Sequence, residues 1–285
     1  MRNIIENKTF QEERALYHLQ DTDVINCRFE GEVDGESCLK EGRNISVKNS
    51  FFNLRYPLWH VTNYVVSDSK FEENARAALW YTTEGLLENI KINTIKTLRN
   101  SDDIKIINST IVASEVGWFC NNIQIENSYI EGDYPLIRAE NVTINKSRIN
   151  GKYCLQYMKN VKITNSILDT KDAFWHSENV VVENSIVNGA YLGWYAKNLT
   201  FINCEISGTQ PLCYTKGVTL INCTMKDTDL AFEYSDVKAD IIGHIDSVKN
   251  PKSGYINADS IGEIILKDSI YENQAVINIR KRNDN

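Results

Sequence analysis

The chain of 285 residues is poor in the residues that usually punctuate a fold, with only 4 prolines, 14 glycines and 3 methionines. No apolar run approaches the ~20 residues of a membrane-spanning helix, which excludes a helical membrane anchor within the sequence. The opening residues, MRNIIENKTF, lack the apolar stretch of a secretory leader. The seven cysteines are odd in number and show no paired zinc-ligand spacing, so they read as free thiols in a reducing compartment. With a formal net charge of -7, the surface is not that of a general nucleic-acid binder. A D-x-D calcium cluster, an H-E-x-x-H helix and a nucleophile elbow are all missing. No metal and no cofactor is expected. The default reading is a soluble cytoplasmic protein without a nucleic-acid or membrane partner.

Asparagine, by contrast, is abundant and recurs in a phrase. From Asn141 the chain reads NVTINKSRI, from Asn160 NVKITNSIL, from Asn179 NVVVENSIV and from Asn198 NLTFINCEI. Related phrases begin at Asp103, Asn122, Gly217 and Asp236, so the period from 103 to 236 is nineteen residues without a slip. Upstream, Asn44 and Asn63 keep the same step, and Asn63 to Glu84 is twenty-one. Within a unit the second and fourth positions are aliphatic, as in Val142 and Ile144, with polar or variable residues between. That period of two is strand alternation with one face buried. The sixth position is almost always Asn or Asp, suited to a left-handed bend, and the seventh is small. Short strands separated by bends at a fixed period stack as a parallel β-helix, here about twelve coils of nineteen residues. Right-handed crossovers are favoured in ~98% of parallel connections, and no hexapeptide period is present. The expected fold is an all-β, single-stranded right-handed parallel β-helix, a single domain over 1–285. Residues 1–20 form its first coil or cap and 241–285 irregular C-terminal coils or a cap. A leucine-rich horseshoe would need an L-x-x-L-x-L frame, which these units lack.

One stretch of each unit departs from the polar exterior. Five residues before each start is an apolar or glycine column that includes Leu39, Leu58, Leu79, Leu98 and Leu136. The next column holds Lys40, Arg99, Gln156 and all five tryptophans, Trp59, Trp80, Trp118, Trp175 and Trp194. The one after it holds His18, Glu41, His60, Tyr81, Phe119, Arg138, Tyr157, His176 and Tyr195. If strand alternation persists, leucines face inward and tryptophans outward; the reverse parity would put indoles in the core. Lys40, Arg99 and Gln156 favour the first, since unpaired charges are rarely buried, although Glu41 and Arg138 stand in the neighbouring column.

The phrases DGESCLKE (34–41), RYPLWH (55–60), RAALWY (76–81), KDAFWH (171–176), YLGWY (191–195), QPLCY (210–214) and LAFEYSDVKADIIG (230–243) resemble an uncharacterised bacterial family, the domain of unknown function 3737. The resemblance covers essentially the whole chain. It implies a pectate-lyase-like right-handed β-helix and carries no catalytic assignment.

An outward aromatic column offers flat apolar faces to sugars. Trp59, Trp80, Arg99, Trp118, Trp175, His176 and Trp194 are the candidate saccharide-binding residues. Near the amino-terminal end, Glu36, Arg55 and Arg76 share one column, and Lys40, Glu41 and His60 come from the same few coils. These six are the candidate catalytic set. The cations could neutralise a uronate carboxylate while His60 removes a carbon-bound proton. Alternatively, Glu36 and Glu41 could flank a glycosidic bond. Three readings follow: a lyase or hydrolase acting on an acidic oligosaccharide, a non-catalytic saccharide binder, and a scaffold that uses the aromatic face as an interface or for self-association. Charged ladders that merely tolerate one another would look the same in sequence.

Overall fold

The computed structural model describes residues 2–31 and 35–280. Met1 of the expected first coil, Asp34 of the DGESCLKE phrase and residues 281–285 of the expected C-terminal cap lie outside the described residues. Among the described residues there is no α-helix. The chain groups into two compact units, Met1–Ser147 and Arg148–Asn285, each a right-handed parallel β-helix.

In the first unit, six-residue strands such as Asp102–Ile107, Asn121–Glu126 and Glu140–Asn145 stack in parallel. Ile104 pairs with Ile123 and Ile123 with Val142, so the nineteen-residue period becomes the coil-to-coil register. The second and fourth residues of each phrase are buried, as in Ile104, Ile106, Val142 and Ile144. In the second unit Lys159–Thr164, Glu178–Glu183 and Lys197–Ile202 repeat the arrangement, with Val161, Val180 and Leu199 in one buried file.

The bends follow from the polar residues of the phrase. The sixth-position residues are left-handed, with φ of 49° at Asn108 and 47° at Asn127. Their amides form ladders: Asn127 Nδ2 donates to Asn108 Oδ1 at 2.6 Å, and Asn222 Nδ2 to Asn203 Oδ1 at 2.7 Å. The start position is left-handed as well, which the phrase alone does not reveal, and carries a second ladder through Asn122 and Asp103 at 3.0 Å. The small seventh position is a buried hydroxyl file. The Ser109 N–H donates to Ser128 Oγ at 3.0 Å, the Ser128 N–H to Ser147 Oγ at 3.1 Å, and Ser128 Oγ donates to the Glu126 carbonyl at 2.8 Å. Backbone groups at the corner are thus satisfied inside the coil, where an unpaired one would be costly. Behind that corner, Phe10, Phe29, Phe52 and Phe71 stack at 5.2, 4.8 and 4.5 Å, the last three fully buried.

The segment after Ile241, expected to form irregular coils or a cap, goes on coiling with uneven steps, shorter and then longer than nineteen residues. Asp236–Ile242 pairs with Ser253–Ala258, which pairs with Val276–Ile279. The chain makes about 14 turns, more than the twelve periods legible in the sequence, because these uneven coils obscure the repeat.

Candidate functional site

The wall that carries the tryptophans is built differently from the expected strand. Most of it is turn; only short pairs such as Leu79–Trp80 with Leu98–Arg99 are strand. The third residue before each start is left-handed: φ is 60° at Glu41, 57° at His60, 59° at Tyr81 and 55° at Phe119. A left-handed L-residue costs about 1–2 kcal/mol, and here the stack holds it. The His60 N–H donates to the Trp80 carbonyl at 3.0 Å and the Tyr81 N–H to the Arg99 carbonyl at 2.9 Å. Left-handed geometry also breaks the alternation of side chains. Leu39, Leu58, Leu79 and Leu98 point inward as expected. The five tryptophans are half-buried rather than fully outward, and most of the following column, including His60, Tyr81, Phe119, Tyr157, His176 and Tyr195, is exposed, so two adjacent columns face solvent.

In the first unit this wall gathers aromatic rings and cations. Lys40 Nζ lies 5.6 Å from the Trp59 ring, and Arg99 Cζ lies 5.2, 5.5 and 5.5 Å from Trp80, Trp118 and Phe119. The His60 ring stacks on Tyr81 at 4.8 Å and beside Trp59 at 6.1 Å. Trp59 and Trp80 meet edge to face at 6.3 Å. Their buried Nε1 atoms have no hydrogen-bond partner among the described residues, whereas Trp118 Nε1 donates to the Tyr134 carbonyl at 2.7 Å.

The candidate acids are already engaged. Glu36 pairs with Arg55 Nε at 3.1 Å on the adjoining coil, joined there by a β-bridge. Glu41 accepts from Tyr17 Oη at 2.7 Å and lies 4.0 Å from His18 Nδ1 and 3.9 Å from Lys40 Nζ. Its two oxygens therefore turn toward Tyr17, His18 and Lys40, while His60 is stacked among rings. Glu115, not singled out in the sequence, lies 3.0 Å from Lys96 and 3.8 Å from Arg99. Arg76 is exposed.

In the second unit Trp175 and Trp194 stack at 5.4 Å with planes 4° apart. Their Nε1 atoms donate to the Tyr191 and Gln210 carbonyls at 2.7 and 2.8 Å. Beside them Tyr157, His176, Tyr195 and Tyr214 form a continuous stack at 5.0, 5.1 and 4.8 Å. Rings stacked on one another keep their faces covered, so edges and hydroxyls are what a ligand would meet. Burial raises the neighbouring Asp172 carboxyl, and Lys171 opposes the shift.

The stack continues toward Glu233, which is nearly buried and paired with Lys249 at 2.8 Å. Burial, then the charge of Glu233, pushes the Tyr214 hydroxyl up to about 12. Between the unfolded tyrosine value near 10 and that level, the folded chain keeps a proton that the unfolded chain has lost. Stability should therefore fall as pH rises from 10 toward 12. Tyr214→Phe should remove part of that dependence, read by urea denaturation at successive pH values. An identical pH slope in the variant would show that Tyr214 does not titrate as described.

Two clefts of the second unit escape sequence reasoning because each arises where the register changes. One, of about 390 Å³, is lined by Glu205, Lys226, Asp227, Ile242, His244 and Asp246. It opens after the Thr224–Ile242 pair, where residues from His244 onward pair instead with Ser260–Ile265 in a separate sheet. His244 Nδ1 lies 2.8 Å from Ser260 Oγ, and Nε2 lies 3.6 Å from Asp246. The other, of about 330 Å³, surrounds Gly217. Among the described residues no group of side chains is arranged to hold a metal ion, and no helix is long and apolar enough to cross a membrane.

Parallel coils with ladders of asparagine, serine and aromatic rings define the class, a right-handed parallel β-helix. The chain belongs to the family described as a protein of unknown function (DUF3737), which matches residues 3–279. No curated protein matches it. Among solved structures it is similar to PfbA, a surface adhesin of Streptococcus pneumoniae, at 11% identity and TM-score 0.56, covering 94% of this chain and 89% of that one. A tailspike protein mutant of E. coli bacteriophage HK620 aligns at 11% identity and TM-score 0.42, over 91% of this chain and 59% of that one. The periplasmic alginate epimerase AlgG aligns at 9% identity and TM-score 0.37, over 91% and 77%. At these identities the likeness to the adhesin shows the fold alone.

Proposed function

We propose that the wall of the first unit binds an acidic oligosaccharide and holds it without turnover. The observation that carries this reading is Arg99, a half-exposed guanidinium within 5.5 Å of three aromatic rings on a surface that also presents Lys40 and Arg76. Sugar rings have apolar faces that pack on aromatic surfaces, and uronate or sulfate groups supply the charge that a fixed guanidinium selects. Binding without chemistry is favoured because Glu36, Glu41 and Glu115 are each held by wall cations. His60, packed against Tyr81, is braced as a contact surface. Seven buried unpaired thiols support placing the ligand in a reducing compartment.

The test is titration with oligo-uronates by calorimetry at two salt concentrations. Arg99→Ala should weaken binding at least about tenfold, the equivalent of one charge-assisted hydrogen bond, and should flatten the salt dependence. Affinity unchanged in the variant would overturn the assignment. So would sedimentation showing a dimer whose interface covers Trp59, Trp80 and Trp118.

A further inference from the structure

The cleft around Gly217 has a specific structural origin. On the preceding coils the start position is a left-handed asparagine whose amide bonds the coil before it. Asn179 Nδ2 donates to Asn160 Oδ1 at 3.1 Å and Asn198 Nδ2 to Asn179 Oδ1 at 3.0 Å. Gly217 keeps the bend, with φ of 80°, but has no side chain to continue the ladder. Asn198 Oδ1 consequently receives no hydrogen bond from another described residue. The next coil then omits the bend residue. Lys216 pairs with Asp236 and Val218 with Val237, leaving Gly217 outside the register. A missing side chain beneath a missing residue opens about 330 Å³.

What lines the opening is polar and electrically balanced. Asn198 presents its free amide oxygen, and Thr200, Thr219 and Lys238 stand in register on successive strands. Asp236 contributes a carboxylate that accepts from Ser253 Oγ at 2.7 Å and lies 3.8 Å from Lys252. We propose that this cleft binds a small neutral polyhydroxylated molecule, a monosaccharide or polyol, at a site separate from the aromatic wall. Each ligand hydroxyl is both donor and acceptor, which suits a lining of amide oxygen, carboxylate, hydroxyls and ammonium. A simple anion would meet Asp236 and a simple cation Lys238, whereas a neutral polyol uses both. Without an aromatic platform the binding should be weak. The proposal is independent of ligand binding by the first unit.

The experiment is a set of amide and saturation-transfer NMR titrations of the full chain. The probes are methyl mannoside, methyl galactoside, N-acetylglucosamine and inositol, with glucuronate and spermidine as charged controls. Shifts from at least one neutral probe, confined to the amides of 198–200, 217–219 and 236–238, are expected. Gly217→Asn discriminates best. Asparagine tolerates the left-handed bend and a Cβ there would lie 3.3 Å from Asn198 Oδ1, so the variant should extend the ladder, keep or raise the melting temperature and abolish the shifts. Should it fail to fold, Thr219→Val removes one lining hydroxyl at nearly constant shape and should weaken binding several-fold. The proposal is overturned if no neutral probe shifts these amides or if only a charged control does. Wild-type binding in a folded Gly217→Asn, or in Thr219→Val where that variant is used, overturns it equally.

Discussion

Gly189→Ala should disrupt the coils of the second unit, with a loss of about 4 kcal/mol or more in urea denaturation. The backbone at Gly189 has φ of 139°, outside the range open to alanine, and an added Cβ would lie 1.4 Å from the Thr170 carbonyl oxygen and 2.5 Å from its carbon. Both atoms belong to backbone, so no rotamer change relieves the overlap; the coil itself must move. The Gly189 N–H donates to the Ser207 carbonyl at 2.9 Å, and Asn188 Nδ2 bonds Asp169 at 2.9 Å. Any displacement therefore strains ladders on both sides of the coil. Losses this large from one methyl group are exceptional, and overlap with backbone at a special φ is one of the few causes that produce them. A variant within about 1 kcal/mol of the parent would show that the coils are looser than described.

The second large effect belongs to the interior of the first unit. Phe52→Ala removes a fully buried ring from between Phe29 and Phe71, which contact it at 4.8 and 4.5 Å. Cavity formation and lost transfer energy together should cost about 3–5 kcal/mol. Phe52→Leu, which refills most of the volume, should cost clearly less. Because coils contact mainly their neighbours, hydrogen exchange should rise most near 29–71 and least in distant coils. Uniform acceleration across the first unit would contradict nearest-neighbour coupling.

The stack was legible because its rules are local. Val142 and Ile144 alternate with polar residues, and Asn165 or Asn184 is a residue type that tolerates the bend it makes. The wall was less legible because its left-handed residues give no such signal. His60, Tyr81, Phe119 and Tyr195 adopt φ between 55° and 59° through inter-coil hydrogen bonds, against their own preference. A period-two reading therefore places only one outward column where the structure has two. Leu58 and Leu79 inside and Arg99 on the wall were readable from charge and size. The pairing of Glu41 with Tyr17 was not, since side-chain direction across coils is not encoded in spacing. The Gly217 cleft was hidden for a different reason. Gly217 and Asp236 keep the nineteen-residue step, yet the register slips between them by a bulge that the period cannot show.

The most direct measurement is an indole N–H NMR titration of the full chain with oligo-uronate, reading all five tryptophans at once. The wall account predicts shifts at Trp59, Trp80 and Trp118, which surround Lys40 and Arg99, while Trp175 and Trp194, stacked on each other in the second unit away from those cations, stay still. Five unmoved indoles at saturating ligand, or shifts confined to Trp175 and Trp194, would contradict it.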